Sequence, residues 1–558
     1  MTSVLRAGAF ASLFLALAAG GTPQGPPPQT RDRAATPTGT ASISGRLTIT
    51  ENGQTVPVRR ARVTLESSVL PRPPRVDTDT DGRFQFTNLP AGTYRVIAEK
   101  AGFVPRVSDP RRAFERPAPI DLNDGQAVQL DIPMQRGAAI DGAVVTDTGD
   151  PAINIVVTAE RYSYDASGRH LTPVRQARTD DRGHFRVHTL PPGEYFVEAG
   201  PDPLDLLNGP PTPGQPPPVL AHTFYPGTPR VGEARTISLA VGQNVSDMDV
   251  RLTRVAVVSV KGHANLSSGA PAKDVYFRFQ RVGGPVGEVR GWSLPESSEF
   301  DFPAVPPGDY WVMAVARPSP GAALEYAAVR LTVVGQNISD LVVTTAKGAS
   351  IAGRVDVDGG AAPLPADLRV VAYETDYSLP ALPGPPAPTT DGRVDPSGTF
   401  AFSSLFGPRL LRLDGLPATW AIKSIALDDR DISETATDFQ PGGSPRAVHI
   451  VITPRTAVVR GAAQDDGGRP VGHARVVLFS TDERQWQPRS RTVRAVETGP
   501  DGQFAIEGVL AGDYAIVAVP YLEEESWTDA TVLRGLRALA TTVALTDGAS
   551  TTVTLKVR

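Results

Sequence analysis

Cysteine is absent from the 558 residues. That excludes disulfides, thiolate metal sites and a lipid-bearing N-terminal cysteine, so packing alone must hold the fold. Histidine is scarce: His170, His184, His188, His222, His263, His449 and His473 are scattered along the chain. The closest pair in sequence, His184 and His188, falls on an alternating pattern. Four residues of strand span about 13 Å, too far for two ligands of one metal. A basic excess is also missing. The net charge is −5, which gives no electrostatic footprint for nucleic acid. No H-E-x-x-H helix, G-x-S-x-G elbow or G-x-x-x-x-G-K-[ST] loop occurs. Nothing pairs a nucleophile with a base. The expectation is a non-enzymatic chain with no catalytic, metal or cofactor-binding residue.

Long apolar runs are missing too, with one exception. Ala7 to Ala19 is apolar, Arg6 precedes it, and Ala16-Leu17-Ala18 has the small-x-small form of a cleavage site. The run is shorter than the roughly 20 residues of a membrane span. It predicts a secretory signal peptide over 1–20, followed by a Pro/Thr-rich leader over 21–39. Export is expected, to the periplasm, the outer surface or the medium. No transmembrane segment is expected after cleavage.

Glycine and proline are abundant, 53 and 54 residues. Together they stay below the roughly 25–30% at which unpatterned bias signals disorder, and they suit a chain of many turns. The turns recur. "DGRFQFTNLPAGTYRVIA" (81–98) returns as "DRGHFRVHTLPPGEYFVEA" (181–199), "SSEFDFPAVPPGDYWVMA" (297–314) and "DGQFAIEGVLAGDYAIVA" (501–518). A divergent copy is "PSGTFAFSSLFGPRLLRL" (396–413). Aligned on Tyr94, Tyr195, Tyr310, Leu410 and Tyr514, the copies are 101, 115, 100 and 104 residues apart, a common domain size. Upstream of each lies a pattern such as Ile43-x-Gly45-x-Leu47, then a second alternating strand such as Ala61/Val63/Leu65. Period-two alternation buries one face of each strand.

Residues 77–82 also carry D-x-D-x-D-G, the opening of an EF-hand calcium loop. The three Asp do not recur together in the other copies, Asn88 stands where a bidentate Glu belongs, and no helix flanks the loop. The stretch therefore reads as a hairpin turn, with positive φ expected at Gly82.

The G-x-V strand and the "DG-x-F-x-F-x-x-L-P-x-G-x-Y-x-V" core resemble carboxypeptidase regulatory-like domains, which are transthyretin-like (prealbumin-like) seven-stranded sandwiches. In its tandem form the pattern is similar to that of large exported bacterial proteins. The resemblance implies an all-β fold of five tandem Ig-like or prealbumin-like antiparallel sandwich modules with one short C-terminal helix. The modules are expected at 40–135, 136–254, 255–346, 347–455 (divergent) and 456–558. Short Pro-containing connections predict a semi-extended string. Residues 525–540 predict the helix, with Ser526-x-x-Asp529 as a capping box. The resemblance implies a non-catalytic accessory role: binding, adhesion or scaffolding at the cell envelope, with an unknown protein or glycan partner. The alternative is a carbohydrate-binding, starch-binding-like protein that stacks sugars on exposed aromatics, for which Trp311 and Trp292 are the candidates.

Overall fold

A computed structural model of the chain describes residues 38–107, 120–202, 219–282, 290–375 and 392–558. Within these, short stretches at 52, 166–167, 274, 295–296, 320–321, 361 and 443–445 are excepted. The predicted signal peptide and nearly all of the leader lie outside the described residues.

The chain is all-β, and one topology recurs five times. The strands Ala41–Glu51, Ala138–Val145, Val258–Asn265, Ala349–Val357 and Ala457–Gln464 open the modules. Each pairs antiparallel with the strand that carries the motif's two inward aromatic or aliphatic residues, and parallel with its module's last strand. The mostly antiparallel first sheets thus each contain a parallel pair. The second sheet pairs the second alternating strand with the one that follows the L-P-x-G turn, as in Arg62–Glu66 with Gly92–Glu99 or Arg475–Ser480 with Gly512–Val519. The two inner faces close over a core in every module, such as Ile43, Leu47, Val63, Leu65, Phe84, Tyr94 and Val96 in the first. Burial of each large side chain there contributes about 1.5–3 kcal/mol.

The glycine of the opening strand has a steric cause. A Cβ at Gly45 would stand 2.2 Å from the Leu130 carbonyl and 2.7 Å from the Phe84 ring. Gly461 has the same neighbours, Val553 O at 2.1 Å and Phe504 at 2.8 Å. The motif's Phe lies where that side chain would be, so the two halves of the repeat are one packing unit. The motif's Tyr also has two jobs. Its ring fills the core, and its hydroxyl donates to the carbonyl four residues back: Tyr94 to Pro90 at 2.7 Å, Tyr195 to Pro191 at 2.8 Å, Tyr310 to Pro306 at 2.8 Å.

Three expectations need correction. In the fourth module the turn is one residue shorter, and Ala372 registers with Leu411 as Leu65 does with Val96. Leu410 therefore does not take the Tyr position. Arg409 does, and its Nε donates to Phe406 O at 2.9 Å in place of the hydroxyl. The same module adds the strand Ala421–Leu427 beside its last strand. At the C-terminus, Ser526–Thr528 is a 3-10 turn, and the helix runs Ala530–Arg537 with Asp529 as its cap, accepting from Thr531 N at 2.6 Å. A carboxylate one residue before the helix satisfies an otherwise unpaired amide directly, so Ser526 is not the cap. Leu533 and Leu536 of this helix pack with Val477, Phe479, Ala515, Val517, Trp486 and Trp527 on the outer face of the fifth module's second sheet.

The string also folds back on itself, contrary to a semi-extended arrangement. Arg161 of the second module donates to both carboxylate oxygens of Glu523 in the fifth, at 3.0 and 2.9 Å. Arg169 stands 3.4 Å from Asp529 while stacking on Tyr162, and Thr528 Oγ1 donates to Asp165 O.

Candidate functional site

The acidic stretch of the first module is a turn. Asp79 Oδ1 accepts the amides of Asp81 and Arg83 at 2.9 and 2.7 Å, while Asp77 faces Arg62 at 3.4 Å. Gly82 has φ +73°, and a Cβ there would meet Leu47 O at 2.5 Å. Among the described residues no three His, Asp or Glu gather as a metal would require. The capping carboxylate does recur, which comparison of the Asp-Gly pair alone missed. Asp180 Oδ1 accepts from Arg182 N and His184 N, and Asp395 Oδ1 from Ser397 N and Thr399 N. The legible signal was D-x-x-G-x-F. Hydrogen bonds from Ser397 and Thr399 hold the Asp395 carboxyl down at about 2.

The two aromatic candidates are not brought together. Trp292, on Arg290–Leu294, registers opposite the core residue Phe277. Trp311, on Gly308–Ala316, registers opposite Gln280 of the same sheet. The Arg330 guanidinium covers the Trp311 ring at 4.2 Å, and its Nε1 is sealed without an acceptor.

Two clusters of polar groups escaped the sequence reading. In the second module Glu160 and Glu198 lie on neighbouring strands of the outer face, with His222 Nδ1 2.8 Å from Glu198 Oε1. Glu160 is buried and its Oε2 has no partner. Burial and then the Glu198 charge push its carboxyl up to about 8, against the pull of His222. Residues this far apart in sequence, each inside an unremarkable strand, leave no motif.

The second cluster joins the fourth and fifth modules. Glu434 accepts from Arg412 at 3.0 Å and Arg491 at 2.6 Å, and its backbone carbonyl accepts from Gln487. Arg412 also donates to the carbonyls of Leu411, Ser433 and Arg489; burial pulls its guanidinium down to about 10. Beside this hub opens a cavity of about 290 Å³, lined by Tyr373, Asp414, Gln487, Arg489, Glu525 and Trp527 among others. Such a volume lies near the lower end for ligand pockets.

The fold defines a class: a tandem array of transthyretin-like sandwiches. Residues 42–135 match the family model of the carboxypeptidase regulatory-like domain, and the other four modules repeat that module's strand pairing. No curated protein matches the chain. Among solved structures it is similar to the Bacillus anthracis TIE protein, at 16% identity over 55% of this chain and 51% of that one, TM-score 0.16. It therefore spans about half the length of that protein. It is also similar to GBS52, the minor pilin of Streptococcus agalactiae, at 14% identity over 39% of this chain and 97% of that one, TM-score 0.21. A third is a putative carbohydrate-binding protein of Pseudomonas aeruginosa, at 18% identity over 16% of this chain and 89% of that one, TM-score 0.13.

Proposed function

We propose that this chain is a non-catalytic exported protein whose sandwich modules, with the boundaries given above, serve binding or scaffolding at the cell envelope. The observation that supports this reading most is the contact between the second and fifth modules. Arg161 and Glu523 are 362 residues apart, and Arg161 Nη2 donates to both carboxylate oxygens in a partly buried ion pair. A charge-assisted hydrogen bond of this kind is stronger than a neutral one. Together with the Glu434 hub it holds the second, fourth and fifth modules in a defined arrangement. A held shape serves a surface that meets a partner. Among the described residues no helix is long and apolar enough to cross a membrane.

Two measurements test the proposal. Fractionation of producing cells should recover the chain outside the cytoplasm and co-sedimenting with isolated envelopes; recovery in the cytosol would overturn it. Small-angle scattering should show a folded-back particle that extends on the double change Arg161→Ala and Glu523→Ala. An unchanged profile would remove the role given to this contact.

A further inference from the structure

The geometry points to the cavity between the fourth and fifth modules as a binding site for a small hydroxylated monocarboxylate, a sugar acid, anchored on Arg489. This goes beyond the scaffold reading and does not depend on it.

Arg489 is unlike the arginines around it. Arg412 and Arg491 are both engaged by Glu434 and by backbone carbonyls. Arg494 donates to the carbonyls of Ser490 and Val493. The Arg489 guanidinium instead lies over the Tyr373 ring, 3.5 Å from its centroid, and its Nε is sealed without an acceptor. Among the described residues it takes part in no ion pair. Its backbone is in the left-handed region, φ +59°, and its carbonyl is tied down by Arg412 Nε at 2.7 Å. Left-handed backbone at a non-glycine residue costs energy and recurs at turns along this chain; here it fixes where the Arg489 side chain leaves the turn. Glu525, on the same cavity wall, is the second such residue, at φ +60°. The sealed Nε is closed to a ligand as well, but Nη1 and Nη2 make no hydrogen bond to the described residues, and the two ends of a stacked guanidinium can take a planar carboxylate.

The rest of the wall selects among anions. Asp414 and Glu525 also line the cavity, beside Arg412, whose guanidinium is already taken up by Glu434 and backbone carbonyls; Asp414 already accepts the Tyr373 hydroxyl at 3.0 and 3.1 Å. Two carboxylates oppose a compact dianion such as phosphate. They favour a ligand that brings hydroxyl donors together with one negative charge, since each carboxylate has several acceptor positions. Gln487 and Ser490 add further polar groups, and Trp527 and Val493 give apolar surface for ring C–H groups.

Titration of the full chain with glucuronate, glucose and inorganic phosphate tests this. Glucuronate should saturate one site and bind at least about tenfold more tightly than either of the others, the effect of one charge-assisted contact. Arg489→Leu should lose that preference, and Arg489→Lys should keep only part of it because the flat fork is gone. Circular dichroism shows whether the variants stay folded. If glucuronate and glucose bind the unmodified chain alike, or if neither binds, the inference fails whatever the variants do. It fails equally if a folded Arg489→Leu chain binds glucuronate as before.

Discussion

The first and fifth modules share an inner face and differ on the outer one. The position after the second strand's last inward residue is Glu66 in the first module and Phe479 in the fifth; Glu66 is exposed and Phe479 is fully buried. They register with Arg95 and Ala515. In the other modules the same position holds Glu160, Gln280 and Tyr373, beside Phe196, Trp311 and Leu410. The inward positions repeat because every module solves the same packing problem. The outward position records what each module meets: solvent in the first, a buried acidic cluster in the second, the Arg489 cavity in the fourth, and the terminal helix in the fifth. A strand apolar on both faces signals a third layer.

The sharpest break of this comparison is at the outward position itself. Phe479→Ala should cost about 3–5 kcal/mol, the loss of a buried aromatic plus the cavity left behind, whereas Glu66→Ala should stay within about 0.5 kcal/mol. Hydrogen exchange on the full chain resolves the two modules separately. Equal protection losses would show that the outer layer does not stabilise the fifth module.

On the shared inner face the modules should respond alike. Gly45→Val and Gly461→Val each drive a side chain into a backbone carbonyl and a Phe ring, and each should cost about 2–3 kcal/mol. A large difference between the two in urea unfolding would mean that the repeat's packing unit is not equivalent in the two places.

The second module carries a pH-dependent version of the same position. The Glu160 carboxyl is raised from its ordinary 4.5 to about 8, so the folded state holds a proton that the unfolded chain releases. Its effect is absent below about pH 4.5, grows unfavourable as pH rises, and is complete above about pH 8. Glu160→Gln should therefore stabilise this module by about 1–3 kcal/mol at pH 8 and by little at pH 4. A thermal melting series across that range checks the sign, and a gain that is larger at pH 4 would contradict it.

The smallest effect is expected at the capping turns. Asp395 is held at about 2, so what it contributes is present above its ordinary 3.8 and is lost as pH falls from about 4 to 2. Asp395→Asn should blunt the acid sensitivity of the fourth module, and the fifth, with Gly499 at that place, should lack this component. Acid titration followed by amide exchange separates the two; identical profiles would remove the cap's role.

The repeat, its inward residues, the turns with Asp-Gly or Ser-Gly, and the all-β class were legible because they are local. Alternation has period two, a turn needs a residue that accepts positive φ, and both are written in adjacent positions. Leu410 was misplaced by one because the fourth module's turn is a residue shorter, and an apolar residue sits at both Leu410 and Leu411, so pattern alone does not decide the register. Ser-x-x-Asp gives Ser526 the form of a cap, while the actual cap, Asp529, depends on where the chain leaves the sheet. The Glu160–Glu198–His222 cluster, the Glu434 hub, the unpaired Arg489 and the Arg161–Glu523 contact had no signature at all. By itself the sequence determined five sandwiches, since each buries its own alternating face. Tertiary structure alone decided what the outward faces meet, because those contacts join residues tens to hundreds of positions apart whose spacing follows no period.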